Sequence, residues 1–319
     1  MELAQSLVNS SAKYRREILA MPIAALMDKV LVHMTLRRGV RGDETVGAAG
    51  SNAELRPYKT AKGETDTIRI SARTLTTYLG DVVEEFDPYQ LFTTVYGEQF
   101  DDLTKRTEAE IVKTLSLAQG RTISKKLAKA IFSGVRNAAG TTTADLFNGF
   151  DTIAAAEVAA SNLAVAKGNY MEVAKITDVN AGDILKSIYD SISEELSETD
   201  EELKMFLPKT VLRAYEKWCL ANFGPAVYNV SYDKTVLHGT AENPCRLVAL
   251  AGQKGSSFIY VTTRSNMLVG ADQKSEQEKV KIRECDNPKL LQFFMCMFFG
   301  VQFESLDPGR IFVAKQQQP

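Results

Sequence analysis

The sequence predicts an α+β fold, because short β-like runs and long helical patterns share one chain of 319 residues. Between Phe258 and Ile282, three short runs (FIYVT, NMLVG and KVKI) are separated by the turn TRSN and the charged loop ADQKSEQE. Runs of this length between turn residues are typical of packed strands. Upstream, an apolar stripe at helical spacing extends from Phe100 to Ile131.

The first 36 residues are predicted to be mainly helical, since Leu19, Ile23 and Leu26 recur at helical spacing. Residues 37–80 differ, being rich in Gly, Thr and charge and poor in large apolar side chains. Their end, TIRISARTLTTYL, alternates like a strand. We therefore expect a long β-hairpin or loop that leaves the body and either stays disordered or packs on another molecule.

The long helical stripe predicts a structural spine or a partner-facing rod, because helices in globular proteins average about 11–12 residues. Gly120 is expected to bend this helix or to break it in two. A further helix is predicted over Asp178–Leu196, capped by Asn180, and Pro208 is expected to open the next one in its first turn. The acidic run Glu194–Glu202 is interpreted as a solvated turn.

The C-terminal region is predicted to contain a buried helix over Asp286–Phe303, because this segment is apolar on nearly all sides. Its core, Leu290–Val301, is too short to cross a bilayer, which needs about 20 residues. The segment RIFVA, Arg310–Ala314, is predicted to be a closing strand.

The sequence contains few residue patterns that are typical of enzymes. His33 and His238 are isolated from clusters of carboxylates or cysteines, and no GxSxG, HExxH, CxxC, Walker or GxGxxG pattern is present. The carboxylates of VVEEFD, Val82–Asp87, are best interpreted as a solvated face. We therefore assign no catalytic, cofactor-binding or metal-binding residue, and we expect a structural or binding role rather than an enzyme.

The net charge and the spacing of the cysteines limit the kinds of partner and metal site that the sequence supports. A net charge of -2 argues against a general polyanion binder, although Arg37, Arg38 and Arg41 form a local basic patch. The cysteines have no metal-like spacing and are expected to be reduced thiols, two of them within apolar helical runs. They are Cys219, Cys245, Cys285 and Cys296.

The order of these elements resembles the major capsid protein of tailed bacteriophages, a coat fold shared with encapsulin nanocompartments. Four segments carry the resemblance: DLFNGFDTI (Asp145–Ile153), the pair TDVNAGDILKSIYDSI and FLPKTVLRAYEKW, the strand pair SSFIYVTTRSNMLVGADQ, and FFGVQFESLDPGRIFVA as a terminal helix and strand. The resemblance runs from about residue 30 to the end of the chain.

The resemblance implies a division into an arm, a loop and two domains. These are an N-terminal arm (1–36), an extended loop (37–80), a peripheral domain with the spine helix (81–151 and 281–319) and an axial domain (152–280). In the family the extended loop lies over a neighbouring subunit. Some members also cross-link a loop lysine to a neighbour's asparagine; Lys59 and Lys62 lie in the loop here, but we expect them to be solvated or ion-paired.

The implied function is self-assembly, as pentamers and hexamers, into an icosahedral shell around double-stranded DNA. The shell would be the virion capsid, assembled in the host cell cytoplasm, with non-specific contacts to the packaged DNA and no membrane. Scaffold, portal and decoration proteins are candidate partners. Three alternatives stay open: an encapsulin-like compartment with a protein cargo, another virion structural protein such as a portal or tail subunit, and a soluble enzyme with an unrecognised site.

Overall fold

The computed structural model describes residues 23, 25–26, 29–51, 68–87, 108–224, 233, 235–241, 243–272, 280–284, 287 and 290–317. Helices and sheets are mixed along the chain, which confirms the α+β prediction. The chain divides into two compact units. The first comprises Met1–Gly42, Thr77–Gly149 and Val269–Gly300, and the second comprises Asp43–Thr76, Phe150–Leu268 and Val301–Pro319.

The helices and strands are numbered here in chain order. The α-helices are α1 (Glu108–Ser133), α2 (Phe150–Ala159), α3 (Ala181–Asp190), α4 (Glu194–Ser197) and α5 (Lys209–Phe223). The strands are β1 (Thr35–Arg38), β2 (Asp43–Ser51), β3 (Ile68–Thr76), β4 (Tyr78–Phe86), β5 (Tyr170–Val173), β6 (Lys204–Phe206), β7 (Arg246–Val248), β8 (Phe258–Thr262), β9 (Met267–Ala271), β10 (Val280–Glu284), β11 (Leu291–Phe303) and β12 (Ile311–Gln316).

The first unit is built on a sheet with strand order β1-β9-β11-β10, in which β4 also pairs with β11. The β4–β11 pairing is antiparallel and extends from Leu291 opposite Phe86 to Phe299 opposite Tyr78. The ring of Phe299 lies 5.2 Å from that of Phe147, centroid to centroid, and both side chains are buried. Aromatic burial of this kind stabilises the core of the unit.

The segment predicted as a buried helix over Asp286–Phe303 is the strand β11, so that prediction was wrong where the structure describes it. Burial alternates along β11, with Phe293, Met295 and Met297 buried between half-buried neighbours. The strand pairs with β4 and β10 and is a neighbour of β9 in the sheet, so it is central. A central strand with one buried and one half-buried face can be apolar at nearly every position, and this pattern resembles that of a helix that is apolar on all sides. Cys296 accordingly lies in a strand rather than in a helical run.

The second unit contains a sheet with strand order β5-β12-β8-β6-β7. Helices α3 and α5 supply much of its core, which includes Leu185, Ile188, Val211 and Tyr215. Gly182 in α3 lies so close to α5 that a Cβ would lie 2.3 Å from the Trp218 ring. Glycine at this position lets the two helices approach closely.

Several smaller predictions have clear outcomes. Helix α1 continues through Gly120 without a break. The helix predicted over Asp178–Leu196 is interrupted between α3 and α4. Asn180 occupies the N-cap position of α3 but makes no capping hydrogen bond, because its Oδ1 accepts from the Thr177 amide at 2.7 Å instead. Pro208 precedes α5 as its N-cap residue, as its position at the start of a helix predicted.

The predicted strands at FIYVT, NMLVG, KVKI and RIFVA are confirmed as β8, β9, β10 and β12, within a residue or two at their ends. Strands β1, β5, β6 and β7 were missed, because runs of three or four residues give too little alternation to detect. Strand β4 was also missed, because the carboxylates of Val82–Asp87 were interpreted only as a solvated face. The predictions for Lys59, Lys62, Cys285, most of the N-terminal arm and the start of the long helix lie outside the described residues.

Candidate assembly surfaces

The region predicted to leave the body contains an antiparallel hairpin of β2 and β3. The strands pair from Asp43 opposite Thr76 to Ser51 opposite Ile68. Within the described residues, this two-stranded sheet pairs with no other strand. A two-stranded hairpin is marginally stable in water by itself. Near the base of the hairpin, the side chains of Val46 and Leu75 are buried, and this packing stabilises the two strands there.

Arg73 anchors the base of the hairpin within the second unit. Its Nη2 donates to Glu157 Oε1 of α2 at 2.6 Å and to Gln302 Oε1 of β11 at 3.1 Å. Gln302 Nε2 in turn donates to the Thr74 carbonyl at 3.0 Å. The Arg73 and Glu157 side chains are only 16% and 17% exposed, so this charge pair is mostly desolvated.

The protonation of Glu157 reflects this contact. Partial burial raises its pKa, but hydrogen bonds from Arg73 and Asn162, together with the positive charges of Arg73 and Lys167, outweigh burial and leave the pKa below its usual value. The glutamate therefore stays ionised at neutral pH. A charge-assisted hydrogen bond of this kind is stronger than a neutral one and holds the hairpin base in one orientation.

A second anchor lies at the turn that precedes β2, within the first unit. The amide of Gly42 donates to Thr77 Oγ1 at 3.0 Å, and the Thr77 amide donates to the Gly42 carbonyl at 2.8 Å. Gly42 has a φ of 82°, which a glycine adopts without strain. Next to it, Arg41 Nε donates to Asp272 Oδ2 at 2.7 Å, and the Asp272 side chain is fully buried. Arg41, predicted as part of a basic patch, is thus ion-paired.

Strand β4 presents an exposed face of mixed character. Leu79 is 55% exposed and Val83 is 47% exposed, and Asp81 and Glu85 lie on the same face of the strand. On its paired edge β4 bonds to β11, and no strand of the described part of the chain pairs with its other edge. Exposed apolar side chains on an unpaired edge strand mark a surface suited to contact with another protein.

The second unit contains a carboxyl group, that of the half-buried Asp151, whose environment the sequence did not indicate. Asp151, in the first turn of α2, accepts a hydrogen bond from the fully buried Tyr260 hydroxyl at 2.6 Å. Burial raises the pKa of Asp151 to about 6, while hydrogen bonds from Tyr260 and Ser256 oppose the shift. Burial, with the neighbouring Asp151 charge, also raises the pKa of Tyr260 well above its usual value. Nothing in the sequence pattern marked Asp151, because its burial depends on residues distant in the chain.

The two histidines, which were weighed as catalytic residues, lie in different units of the chain. His238 lies against Phe223, with 4.4 Å between ring centroids, while His33 precedes β1 in the first unit. In the described part of the chain, no group of His, Cys, Asp and Glu side chains is arranged to hold a metal ion. The helices seen there also include none that is long and apolar enough to cross a membrane.

Comparison with known proteins relates the chain to phage particles. No family model and no curated protein matches its sequence. Among solved structures, a chain of the satellite phage P4 procapsid including the size determination (Sid) protein is similar with a TM-score of 0.56 and 13% identity, over 93% of this chain and 90% of that one. A chain from Gordonia phage Cozz has a TM-score of 0.51 and 12% identity, with coverage of 90% and 86%. A chain of the capsid of Myoviridae phage XM1 has a TM-score of 0.50 and 10% identity, over 89% of this chain and 90% of that one.

At 10–13% identity these likenesses establish the fold alone. The fold is one that occurs in the capsid and procapsid structures of bacteriophages. The predicted resemblance to the coat fold of phage major capsid proteins is thus confirmed, although the segment FFGVQFESLDPGRIFVA, expected to be a terminal helix and strand, forms the end of β11 and most of β12.

Proposed function

We propose that this chain is the major capsid protein of a tailed bacteriophage. Many copies assemble as pentamers and hexamers into an icosahedral shell that encloses double-stranded DNA, and assembly takes place in the host cytoplasm. The role is structural rather than enzymatic. The capsid fold over about nine-tenths of the chain supports this proposal.

The observation that carries the proposal is the β2–β3 hairpin. Nine residue pairs join two strands that meet no third strand among the described residues. Arg73 and the buried side chains of Val46 and Leu75 fix the base of the hairpin. The hairpin becomes more stable when a second copy of the chain covers it, because each Å² of apolar surface that is buried contributes about 25 cal/mol.

In this proposal the predicted division of the chain describes the parts of a shell subunit. The arm (1–36) and extended loop (37–80) overlap neighbouring copies. The peripheral domain (81–151 and 281–319) carries the spine helix α1, and the axial domain (152–280) meets its counterparts around the symmetry axes. Closed symmetry then makes many weak contacts collectively strong.

Shortening the hairpin tests the proposal. Replacing residues 49–70 by Asn-Gly joins Ala48 to Ser71, which face each other in the register, through a two-residue turn. The buried base and Arg73 remain in place. We expect a folded subunit, with circular dichroism and thermal unfolding close to those of the full chain, that forms no closed shells by electron microscopy or sedimentation.

The full chain and a Lys175→Gln variant serve as assembling controls, since Lys175 is exposed on the second unit. Shells of normal diameter from the shortened chain would refute the proposed role of the hairpin. A full chain that stays monomeric under all assembly conditions would refute the capsid proposal itself. Nuclease-protected DNA in purified particles would support a phage shell, whereas a protein cargo would favour an encapsulin-like compartment.

A further inference from the structure

Over residues 118–133, helix α1 has one solvent-exposed side on which every charged side chain is basic. Within residues 118–133 the exposed charged side chains are Arg121, Lys125, Lys126 and Lys129, and this segment contains no acidic residue. At 100° per residue they fall within an arc of about 140°, together with the small exposed residues Ala118, Thr122 and Ser133 and, in the last turn, the buried Phe132. We call these four cations the α1 basic face. The sequence analysis missed it, although basic residues at spacings of four could have revealed it.

The opposite side of the same helix is buried. Leu127, Ala130 and Ile131 are at most 2% exposed, so the helix cannot rotate to hide its cations. At the N-terminal end of the segment, Gln119 donates to the Glu84 carboxylate of β4, which leaves that acid on a neighbouring side rather than against the cations. The orientation of the α1 basic face is therefore set by the core.

These charges are not neutralised by any acidic residue in the described part of the chain. None of the four cations forms an ion pair with any residue that the structure describes. Like charges four residues apart, such as Arg121 with Lys125 and Lys125 with Lys129, destabilise a helix. The helix dipole does not explain them either, because it favours cations in the last turn and the last turn of α1 holds none.

The geometry matches a linear polyanion. The axial distance from Arg121 to Lys129 is roughly 12 Å at 1.5 Å per residue. Double-stranded DNA carries a negative charge for about every 1.7 Å of its axis. Several phosphates thus lie within reach of four long, flexible side chains. The small residues between the cations leave room for a sugar–phosphate backbone to approach.

We propose that the α1 basic face binds the phosphate backbone of double-stranded DNA, without sequence preference, and so forms the DNA-facing surface of the shell. This inference rests on the proposed capsid function, since enclosed DNA supplies the polyanion. Each copy contributes a weak contact, and repetition over the shell makes the contact collectively strong. A near-neutral chain can do this because its positive charge is concentrated locally, while the exposed face of β4 carries Asp81 and Glu85.

The test compares two variants of the full chain with the same loss of positive charge. The first, Arg121→Gln/Lys125→Gln/Lys126→Gln/Lys129→Gln, keeps good helix formers at every position. The control, Lys167→Gln/Lys175→Gln/Lys209→Gln/Lys254→Gln, removes four exposed lysines of the second unit. A third variant, with Lys125, Lys126 and Lys129 all changed to Arg, preserves the charge. Unassembled subunits are titrated with a fluorescent 30-base-pair duplex over a range of salt concentrations, and the same samples are imaged for shells.

We expect the wild type and the arginine variant to bind the duplex alike, and the control to stay within about two-fold. The α1 variant should bind at least about ten-fold more weakly at low salt, and its slope of log affinity against log salt should be smaller by about 1 for each lost phosphate contact. Equal losses in the α1 variant and the control would overturn the inference, and so would a wild type that binds no DNA. Unchanged DNA binding together with failed assembly would also overturn it, because the face would then contact another copy. A wild type that binds DNA through this face but never forms shells would refute the capsid proposal alone.

Discussion

The buried carboxyl of Asp151 gives the sharpest quantitative prediction. Its pKa is about 6 in the folded chain against an ordinary value of 3.8. Since each pKa unit corresponds to a tenfold change in the protonation equilibrium, ionising this group in the folded state costs about 3 kcal/mol above pH 7. Asp151→Asn removes the charge and keeps an oxygen that can accept from the Tyr260 hydroxyl.

The pH dependence follows from the direction of the shift. Below pH 3.8 the group is neutral in both the folded and the unfolded chain, so its ionisation has no cost. Above that value the unfolded chain ionises first, and the folded chain loses this contribution to its stability as the pH rises through about 6. We therefore expect the free energy of unfolding of Asp151→Asn, relative to wild type, to rise by about 2 to 3 kcal/mol between pH 4 and pH 8.

Urea unfolding at both pH values measures this difference. Both proteins should carry the shortened hairpin, so that assembly does not contribute to the measured free energy. Any fixed cost of placing an amide at this position is the same at the two pH values and cancels, as do the titrations of other groups. A relative stability that stays constant between pH 4 and pH 8, or that falls, would refute the assigned burial and pKa of Asp151.

Three further predictions concern packing and surfaces. Gly182→Ala should lower the free energy of unfolding by about 1–3 kcal/mol in urea titration and change the fluorescence of Trp218, because the new Cβ overlaps its ring; a neutral effect would contradict the close approach of α3 and α5. Phe299→Ala, at a fully buried position of β11, should cost about 3–5 kcal/mol, and Phe298→Ala, at a half-buried one, clearly less; equal losses in thermal unfolding would argue against the alternating strand. Val83→Asp should change monomer stability by no more than about 0.5 kcal/mol yet reduce shell yield by electron microscopy, and normal yield would exclude this face of β4 from contacts between copies.

The sequence was a good guide where local patterns coincide with the final environment. The strands β8, β9 and β12 are apolar runs between turn residues, and the described part of helix α1 follows the apolar stripe that ends at Ile131. In residues 37–80, the strand-like alternation of TIRISARTLTTYL predicted a hairpin or loop, and β2 and β3 form an antiparallel hairpin there. The four-residue spacing of the basic residues Arg121, Lys125 and Lys129 can also be found in the sequence, although the sequence does not show that their side chains are exposed.

Tertiary structure decided the points at which distant residues set the environment. Leu291–Phe303 became a strand because β4 and β10 pair with its two edges, and an all-apolar segment satisfies either a buried helix or a central strand. Arg73 became an anchor, and Asp151 a buried acid, only through partners more than eighty residues away. Periodicity records which faces of an element are apolar, whereas pairing, burial and pKa depend on which other elements the chain brings to those faces.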